Sequence, residues 1–284
     1  MAGSAAQLLE LLDLEVLDVD LYRGRQPDTQ RQRVFGGQVA AQAQMAARLS
    51  TDARYHLHSL HSHFLRPGDP HVPIVYVVER LREGRAFANV RVVARQRGRD
   101  IYHQMCTFQV PEEGLDHHDV MPDVPPPSAG LSLADLAAAN GEAAAREWQH
   151  EWAALDIRHI GMTGRGLPED PERKARARMW VRIDGDLPED PVMHEVALTY
   201  ASDLTLLGVS LVPHGLLIND PALQPASLDH TIWFHRPLRA NQWWLYDQTS
   251  PSASGGRGLA LARIWSESGE LAATVAQEGL IRRR

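Results

Sequence analysis

The sequence predicts an α+β protein built from two similar units, each a long helix wrapped by a curved antiparallel sheet. Two features support this fold class. Segments with strand-like alternation of apolar and polar residues follow each of two helix-like segments rich in small or apolar residues. The two halves also share residue landmarks at nearly equal spacing. With 284 residues, 44% hydrophobic and 23% charged, the chain is long enough and apolar enough for two globular units.

The first half reads as one long helix followed by an antiparallel meander. A short amphipathic helix over 5–12 and a half-buried strand over 17–21 come first. A polar loop over 26–33 leads to a helix that opens at 34–38 and is rich in alanine, so a sheet can approach its axis closely. Four strand-like segments follow, at His56–Leu65, Ile74–Arg80, Phe87–Arg97 and Ile101–Val110.

The middle of the chain differs in composition from both halves. It is proline-rich over 121–127, helix-like over 132–152 and mixed in glycine, proline and charge over 161–178. The second half then repeats the order of the first, with strand-like segments at Met179–Ile183, Ser227–His235, Gln242–Thr249, Gly258–Ser266 and Glu270–Ile281. The predicted domains are an N-terminal unit at 1–115, a connecting segment at 116–178 and a C-terminal unit at 179–284.

Three landmarks indicate that the halves are duplicates. The matched pairs are Phe64–Pro67 with Phe234–Pro237, Gly98 with Gly269, and Phe108–Gln109 with Ala276–Gln277. The spacing from Phe to Gly is 34 and 35 residues, and that from Phe to Gln is 45 and 43 residues. A chance pairing of two meanders is the alternative, because local patterns recur among antiparallel folds.

Charge and cysteine content restrict the setting and the partners. The formal net charge of −7 argues against nucleic acid as the main partner. The single cysteine, Cys106, excludes an internal disulfide and fits a reducing compartment, and its strand-like context predicts a packed thiol rather than a nucleophile. No charge-free apolar span reaches 18 residues, and neither a secretory signal nor a peroxisomal Ser-Lys-Leu ending occurs. We therefore expect a cytoplasmic protein with no membrane partner.

One acid stands out in the second half. The stretch Ala197–Val212 is apolar except for Asp203, and a helix apolar on nearly all sides belongs inside a fold. A buried carboxylate needs hydrogen-bond donors or a polar cavity, which makes Asp203 a candidate for chemistry. The alternative is that Asp203 is a helix N-cap, since Asp is favoured there. Both interpretations stay open, because a helix start also offers free amides and a positive dipole end to a reacting oxygen.

Two further polar residues occupy strand-forming settings. Ser227 begins the first strand after the apolar helix, and Gln277 lies in the last strand. A carboxylate, a hydroxyl and a carboxamide together can hold a water and direct it at a carbonyl, which is general-base hydrolysis without a protein nucleophile. Taken singly, Ser227 and Gln277 are also explained as structural strand residues.

Motifs in both halves resemble the type II acyl-CoA thioesterases, the TesB-like double hotdog proteins. The resemblance rests on Tyr200–Asp203, Pro213–Gly215, Leu228–His230, Trp233–Pro237, Val275 and Gln277–Gly279, with Val34–Gln38, Phe64–Asp69 and Leu81–Arg82 in the first half. It runs from about residue 20 to the C-terminus and is weakest through 112–178. It implies a double hotdog fold and hydrolysis of acyl-CoA thioesters to free fatty acid and CoA, without a metal or redox cofactor.

The resemblance also implies the site. The family's water-holding Asp, Ser or Thr, and Gln match Asp203, Ser227 and Gln277. Several relatives carry Thr in the middle position, so Ser227 keeps the hydroxyl and lacks a methyl. The first half has no acid near its double glycine, which predicts one site per chain, with Gly37 and Gln38 of the first helix near the acyl thioester.

Other functions predict different signatures. A metal hydrolase would draw on His58, His61 and His63 or on His117 with His118, but strand alternation separates His58 from the other two and no His-Glu-x-x-His motif occurs. A serine hydrolase would need Gly-x-Ser-x-Gly, and the stretch 208–212 lacks the final glycine. A hotdog-type enoyl-CoA hydratase or dehydratase and a non-catalytic acyl-CoA binding protein remain as alternatives. We also expect a homo-oligomer, because sheets of this kind expose edges that pair.

Overall fold

The computed structural model describes residues 1–161, 172 and 174–283. Most of the connecting stretch predicted at 161–178 therefore lies outside the described residues. The last residue of the basic C-terminal triplet also lies outside them.

The first unit contains two helices and six strands in the order that the sequence predicts. The helices are α1 (Ala5–Leu12) and α2 (Gly36–Leu49). The strands are β1 (Glu15–Asp18), β2 (Leu21–Gly24), β3 (His56–Phe64), β4 (Ile74–Glu83), β5 (Phe87–Gln96) and β6 (Arg99–Gln109).

The second unit repeats this order and adds several elements. Its helices are α3 (Leu133–Ala139), α4 (Glu142–Glu151) and α5 (Pro191–Ser202), with 3₁₀ helices at Pro127–Ala129 and Leu206–His214. Its strands are β7 (Leu131–Ser132), β8 (Leu155–Ile160), β9 (Arg176–Ile183), β10 (Leu223–Ser227), β11 (Asp229–Phe234), β12 (Trp244–Ser254), β13 (Arg257–Ser266) and β14 (Leu271–Arg283).

One sheet of 14 strands runs through the described residues. Its order is β1-β2-β4-β5-β6-β3-β11-β14-β13-β12-β9-β8-β7, with β10 paired to β14. The two units join where β3 and β11 pair antiparallel, with His61 opposite Thr231. The two central helices then lie side by side inside the curved sheet, as a double hotdog requires.

The helices α2 and α5 run antiparallel in close contact, and small residues make this possible. A Cβ added at Gly37 would lie 2.3 Å from the carbonyl oxygen of Tyr200, so only glycine fits there. Further along α2, Gln44 accepts a hydrogen bond of 2.6 Å from Thr199. The alanines predicted to admit the sheet are all buried. The start of α2 consequently lies beside the end of α5.

Backbone hydrogen bonds support the duplication. The amides of Leu65 and Arg66 both donate to the carbonyl of Ile101, and the matching amides of His235 and Arg236 both donate to the carbonyl of Ala272. Gly98 and Gly269 have positive φ angles of 72° and 90° at equivalent hairpin turns.

One predicted landmark was wrong. Phe64 pairs with Tyr102, and Phe234 pairs with Ala273. Gln277 lies four residues after Ala273, and Cys106 lies four residues after Tyr102. The counterpart of Gln277 is therefore Cys106, not Gln109. The error arose because spacing counted through hairpins of unequal length does not preserve register.

Other sequence-based expectations need correction. The predicted strand over 17–21 is a hairpin that turns at Asp20, whose φ is 56°, and all of β1 is exposed. The predicted boundary at 178/179 is too late, because β8 pairs with β9 and β9 pairs with β12 inside the second unit's part of the sheet. The stretch predicted as helix-like over 132–152 contains two helices, separated at Gly141, whose φ is 104°.

The apolar stretch around Asp203 is buried, as expected. Among the described residues, the helical stretch Pro191–His214 is long and apolar enough to match a membrane-spanning helix by composition, with a mean hydropathy of 1.4. However, 72% of that apolar window is buried inside the protein, which is typical of a core helix.

Candidate active site

Asp203, Ser227 and Gln277 meet in the structure. The hydroxyl of Ser227 donates to Oδ1 of Asp203 at 3.2 Å. Nε2 of Gln277 donates to the same Oδ1 at 2.5 Å and to Oγ of Ser227 at 2.9 Å. The three side chains therefore form a closed triangle of hydrogen bonds, although they are separated by up to 74 residues along the chain.

Strand register brings Ser227 and Gln277 to the same place. Ser227 at the end of β10 lies opposite Gly279 of β14, and Gln277 is two residues from Gly279 on the same face. The amide of Glu278 donates to Oδ1 of Asp229 at 2.7 Å, which ties the start of β11 to β14. A Cβ at Gly279 would lie 2.4 Å from Leu207, so this glycine lets the 3₁₀ helix pack directly on the strand.

Asp203 is the C-cap of α5, so the alternative that it caps a helix start is wrong. Its amide donates to the carbonyl of Ala201, and α5 ends at Ser202 before the 3₁₀ helix begins at Leu206. The residue that caps the start of α5 is instead Asp190, whose carboxylate accepts from the amide of Val192. The stretch Ala197–Val212 is thus two helical segments, and the acid lies at the break between them.

A helix start does face Asp203, but it belongs to the first unit. A Cβ at Gly36, the first residue of α2, would lie 2.6 Å from Oδ2 of Asp203. The first amides of a helix have no carbonyl acceptor inside it and carry the positive end of the helix dipole. Oδ1 of Asp203 is therefore held by Ser227 and Gln277, while Oδ2 lies over the N-terminus of α2.

The residues predicted to contact the substrate, Gly37 and Gln38, lie one step further into the protein. Gly37 packs on the backbone of α5, and the side chain of Gln38 is buried and donates to Oε1 of Gln26 at 3.0 Å. Gly36 is among the described residues that line the cavity at this site, whereas Gly37 and Gln38 are not. The sequence shows two adjacent glycines but not which of them faces the cavity, because that depends on the rotation of α2 about its axis.

Buried hydrogen bonds fix the turn that carries Asp203. The hydroxyl of Tyr246 donates to the carbonyl of Ser202 at 2.8 Å. Burial, and then the negative charge of Asp203, raises the pKa of Tyr246, so it stays a neutral donor. The side chain of Ser202 bonds Nε2 of His230 at 2.9 Å. Burial lowers the pKa of His230, opposed by the charges of Asp203 and Asp229. Sequence patterns could not identify this support, because it depends on tertiary packing.

The triangle opens onto a cavity of about 1180 Å³. The cavity extends from the start of α2 past Asp203 to the helices α3 and α4, so both units and the predicted connecting segment contribute to its wall. Most of its large side chains are apolar or aromatic, among them Phe35, Phe64, Leu136, Trp148, Trp152 and Leu207. This is suited to an acyl chain.

The alternative chemistries find less support in the described residues. No group of three or more His, Cys, Asp and Glu side chains there is arranged to hold a metal ion. Cys106 is fully buried, which confirms the predicted packed thiol, and burial raises its pKa to about 12.

The first unit has no counterpart of the hydrogen-bond triangle. The C-cap of α2 is Ser50, where α5 has Asp203. Leu57 lies seven residues before Phe64, as Ser227 lies before Phe234, and Cys106 takes the place of Gln277. A serine, a leucine and a buried thiol cannot provide a carboxylate, a hydroxyl and a carboxamide, which supports one site per chain.

Comparison with known proteins identifies the family. The acyl-CoA thioesterase N-terminal domain matches residues 25–109, and the acyl-CoA thioesterase domain matches residues 171–280. Acyl-CoA thioesterase 2 of Haemophilus influenzae is 38% identical, with 99% of each chain covered. The chain belongs to the acyl-CoA thioesterases. Mouse acyl-coenzyme A thioesterase 8 is 41% identical over 96% of this chain and 88% of its own length.

Solved structures agree with this assignment. The acyl-CoA thioesterase II TesB2 from Mycobacterium marinum superposes with a TM-score of 0.81 at 42% identity and covers 97% of this thioesterase and 98% of its own chain. A hotdog-fold protein of Alicyclobacillus acidocaldarius has a TM-score of 0.78 at 21% identity, covers 97% of each chain and supports the fold alone. The predicted double hotdog and the predicted family are thereby confirmed.

Proposed function

We propose that this thioesterase hydrolyses acyl-CoA to free fatty acid and CoA with a water oriented by Asp203, Ser227 and Gln277. The observation that carries the proposal is the hydrogen-bond triangle, which holds one oxygen of Asp203 and leaves Oδ2 to accept a proton from water. Because Ser227 and Gln277 fix the carboxylate, the base is oriented before substrate binds. No covalent acyl-enzyme intermediate is needed.

The N-terminus of α2 supplies the complementary charge. As water attacks the thioester, negative charge develops on the carbonyl oxygen, and backbone amides at a helix start can stabilise it. The amides of the first turn of α2, at Gly36 and Gly37, are the candidates in this structure, because Gly36 lies against Asp203 and lines the cavity. In this proposal the carboxylate acts on the attacking water, and the amides act on the carbonyl oxygen.

One experiment tests this function against its alternatives. Purified protein and Asp203→Asn are incubated with acyl-CoAs of several lengths, and release of the CoA thiol is followed. Thiol release by the wild type that the substitution abolishes while acyl-CoA binding persists supports the proposal. Water loss from a 3-hydroxyacyl-CoA without thiol release would indicate a dehydratase, and binding without turnover would indicate an acyl-CoA binding protein.

We propose that the thioesterase self-associates, acts in the cytoplasm and serves fatty acid metabolism. The exposed edge strand β1, which carries Val16 at 66% exposure and Leu17 at 41%, supports self-association. Sedimentation velocity of wild type and of Val16→Lys tests it. A monomer in both samples would contradict the proposal.

A further inference from the structure

His230 is a buried histidine that lies outside the hydrogen-bond triangle. It has 0% exposure, and its ring faces α5 on the inner side of β11. Its counterpart in the first unit is Leu60, because each of the two lies four residues before the phenylalanine that ends its strand, Phe234 or Phe64. Burying two ring nitrogens costs free energy that burying a leucine side chain does not. The difference between the units therefore calls for an explanation.

In the sheet, His230 lies beside Gln277. Thr231 pairs with Ala276, which makes His230 and Gln277 the next facing positions on β11 and β14. The first unit shows the equivalent pairing directly, because its leucine lies opposite Cys106, the counterpart of Gln277. Facing side chains of an antiparallel pair have Cβ atoms about 5 Å apart and point to the same side of the sheet. The unit with the triangle thus has a polar pair where the other unit has a leucine and a thiol.

Each member of this polar pair has one buried atom without a hydrogen-bond partner among the described residues. The two atoms are Nδ1 of His230 and Oε1 of Gln277. The other polar atom of each side chain is committed, since Nε2 of His230 bonds Oγ of Ser202 at 2.9 Å and Nε2 of Gln277 donates within the triangle. Leaving a buried polar atom unpaired is costly, so both atoms need a partner. Neither side chain is among the described residues that line the cavity, so substrate is not that partner.

The hydrogen bonds of Ser202 assign the proton of the His230 ring. The Ser202 hydroxyl donates to the carbonyl of Thr199 at 2.9 Å, which leaves its oxygen to accept from Nε2–H of His230. Burial lowers the pKa of His230, so near pH 7 the ring is neutral and has this one N–H. Nδ1 is then an acceptor, as is Oε1 of Gln277. One molecule with two donor hydrogens pairs two facing acceptors, and a buried water commonly does so in proteins.

We infer that His230 is a positioning residue, which fixes the orientation of the Gln277 amide through a buried water that donates to Nδ1 of His230 and to Oε1 of Gln277. The water keeps the amide oxygen turned away from the triangle, so that Nε2 stays directed at Asp203 and Ser227. A rotated amide would instead present its oxygen to the carboxylate, which cannot donate to it. This inference rests on the proposed function and adds to it a residue that acts without contacting substrate.

Substitutions that mimic one ring nitrogen at a time test the inference. The amide of asparagine lies about as far along the side chain as Nδ1 of histidine, and the amide of glutamine about as far as Nε2. His230→Leu and His230→Gln are each expected to lower kcat for thiol release by about tenfold, with KM changed less, because the Gln277 amide loses its fixed orientation. His230→Asn keeps a polar group beside the water and is expected to retain most of the wild-type kcat.

A double-mutant cycle then assigns the effect to Gln277. In the background of Gln277→Leu, which has no amide to orient, His230→Leu should lower kcat little further, whereas independent contributions would multiply. His194→Leu is the matched control and should keep the wild-type kcat, because His194 is also a buried histidine of the second unit but lies near the start of α5. Thermal unfolding of each variant identifies a temperature at which all are folded, and kcat is compared there.

Each outcome decides the inference. Equal losses of kcat in His230→Asn and His230→Leu would overturn it and indicate that the ring acts only through its contact with Ser202. Multiplicative losses in the cycle with Gln277→Leu would also overturn it, as would a wild-type kcat in every His230 variant. A wild-type kcat in Gln277→Leu itself, or no thiol release by the wild type, would instead count against the proposed function.

Discussion

The two units share a framework and differ at the ends of their central helices. In the first unit α2 ends at Ser50, a buried residue whose hydroxyl bonds Tyr22, and β3 begins six residues later. In the second unit Asp203 caps the end of α5, and a 3₁₀ helix precedes β10, which together with β11 takes the place of β3. Ser227 of β10 lies where β3 of the first unit has Leu57. The comparison teaches that the sheet and helix supply the scaffold, whereas the residues at a helix cap and on two strands create the site.

The outer edges of the units differ as well. His159 on β8 pairs with Met179, and Val16 on β1 pairs with Tyr22 at the matching place in the first unit. His159 and Val16 are therefore counterparts. Val16 is 66% exposed, while Nδ1 of His159 is buried beside the cavity. The helices α3 and α4 line the same cavity and account for the difference, since the cavity wall that they form has no equivalent over β1. This edge of the sheet therefore borders the cavity in the second unit, whereas β1 at the matching edge of the first unit is exposed.

The largest expected effect comes from removing the acid that distinguishes the units. Asp203→Asn keeps the size of the side chain but cannot accept a proton, so kcat should fall by about 10²- to 10⁴-fold. Thiol release measures this change. Asp190→Asn, at the opposite end of α5, is the control, because Asn also caps helices well. Equal losses in the two variants would contradict a catalytic role for Asp203.

The position of Asp203 shows which structural features the sequence predicted and which it did not. Hydrophobic periodicity predicted the helices and strands because burial of one face imposes it. The break at Asp203 left no such trace, since Ala197–Val212 is apolar on both sides of it and the first proline is Pro213. The helix ends where Asp203 meets Gly36 of the other unit, and a contact between distant segments has no local signal.

The second prediction concerns the loss of stability at acid pH that the buried His159 causes in the second unit. Its pKa is lowered to about 4, so between pH 6.5 and 4 the unfolded chain binds a proton that the folded chain does not. Stability is therefore retained above pH 6.5 and should fall by up to about 3 kcal/mol as the pH drops to 4. Urea unfolding at both pH values measures it.

His159→Val, which introduces the first unit's residue, should flatten this pH dependence. His63→Val, at an exposed histidine, is the control and should keep the wild-type slope. The contribution of buried His230, whose pKa burial also lowers, persists in both variants. An unchanged slope in His159→Val would show that His159 is not held neutral by burial.

The third prediction separates orientation of the acid from its chemistry. Ser227→Ala and Gln277→Leu each remove a donor to Oδ1 of Asp203, and hydrogen bonds to charged groups have about twice the strength of neutral ones. Each should lower kcat by about 10- to 100-fold, with KM changed less. The double variant should lose less than the product of the single losses, because both donors serve one oxygen. Strictly multiplicative losses would mean that they act independently.

These two residues also mark what residue pattern alone could support. Each was a polar residue in a strand-forming segment, and neither was distinguishable from a structural hydroxyl or amide. They meet because β10 and β14 pair with Ser227 opposite Gly279. The resemblance to the family grouped these residues before the structure did, whereas the contact of Gly36 with Asp203 required coordinates.

A smaller effect distinguishes the two glycines of α2. In Gly36→Ala the new methyl must displace Oδ2 of Asp203 and the ring of Phe64, which are side-chain atoms, so we expect kcat to fall about tenfold with a smaller loss of stability than in Gly37→Ala. In Gly37→Ala the methyl meets the backbone carbonyl of Tyr200, which cannot move alone, so stability should fall by about 1–3 kcal/mol. Thermal unfolding and thiol release of both variants separate the two effects. The reverse pattern would mean that Gly37 is the residue facing the substrate.

The smallest change in activity is expected from giving the first unit an acid. Ser50→Asp places a carboxylate at the counterpart of Asp203, but Leu57 and Cys106 stand where Ser227 and Gln277 would be needed. The new carboxylate can accept from the Tyr22 hydroxyl, but it is buried without counterparts of the Ser227 and Gln277 donors, so stability should fall by about 1–3 kcal/mol. In the background of Asp203→Asn, Ser50→Asp should restore no thiol release, because an acid without orienting donors does not hold a water in place. Recovery of turnover in that double variant would show that a carboxylate at a helix end suffices, and that the difference between the units reduces to one residue.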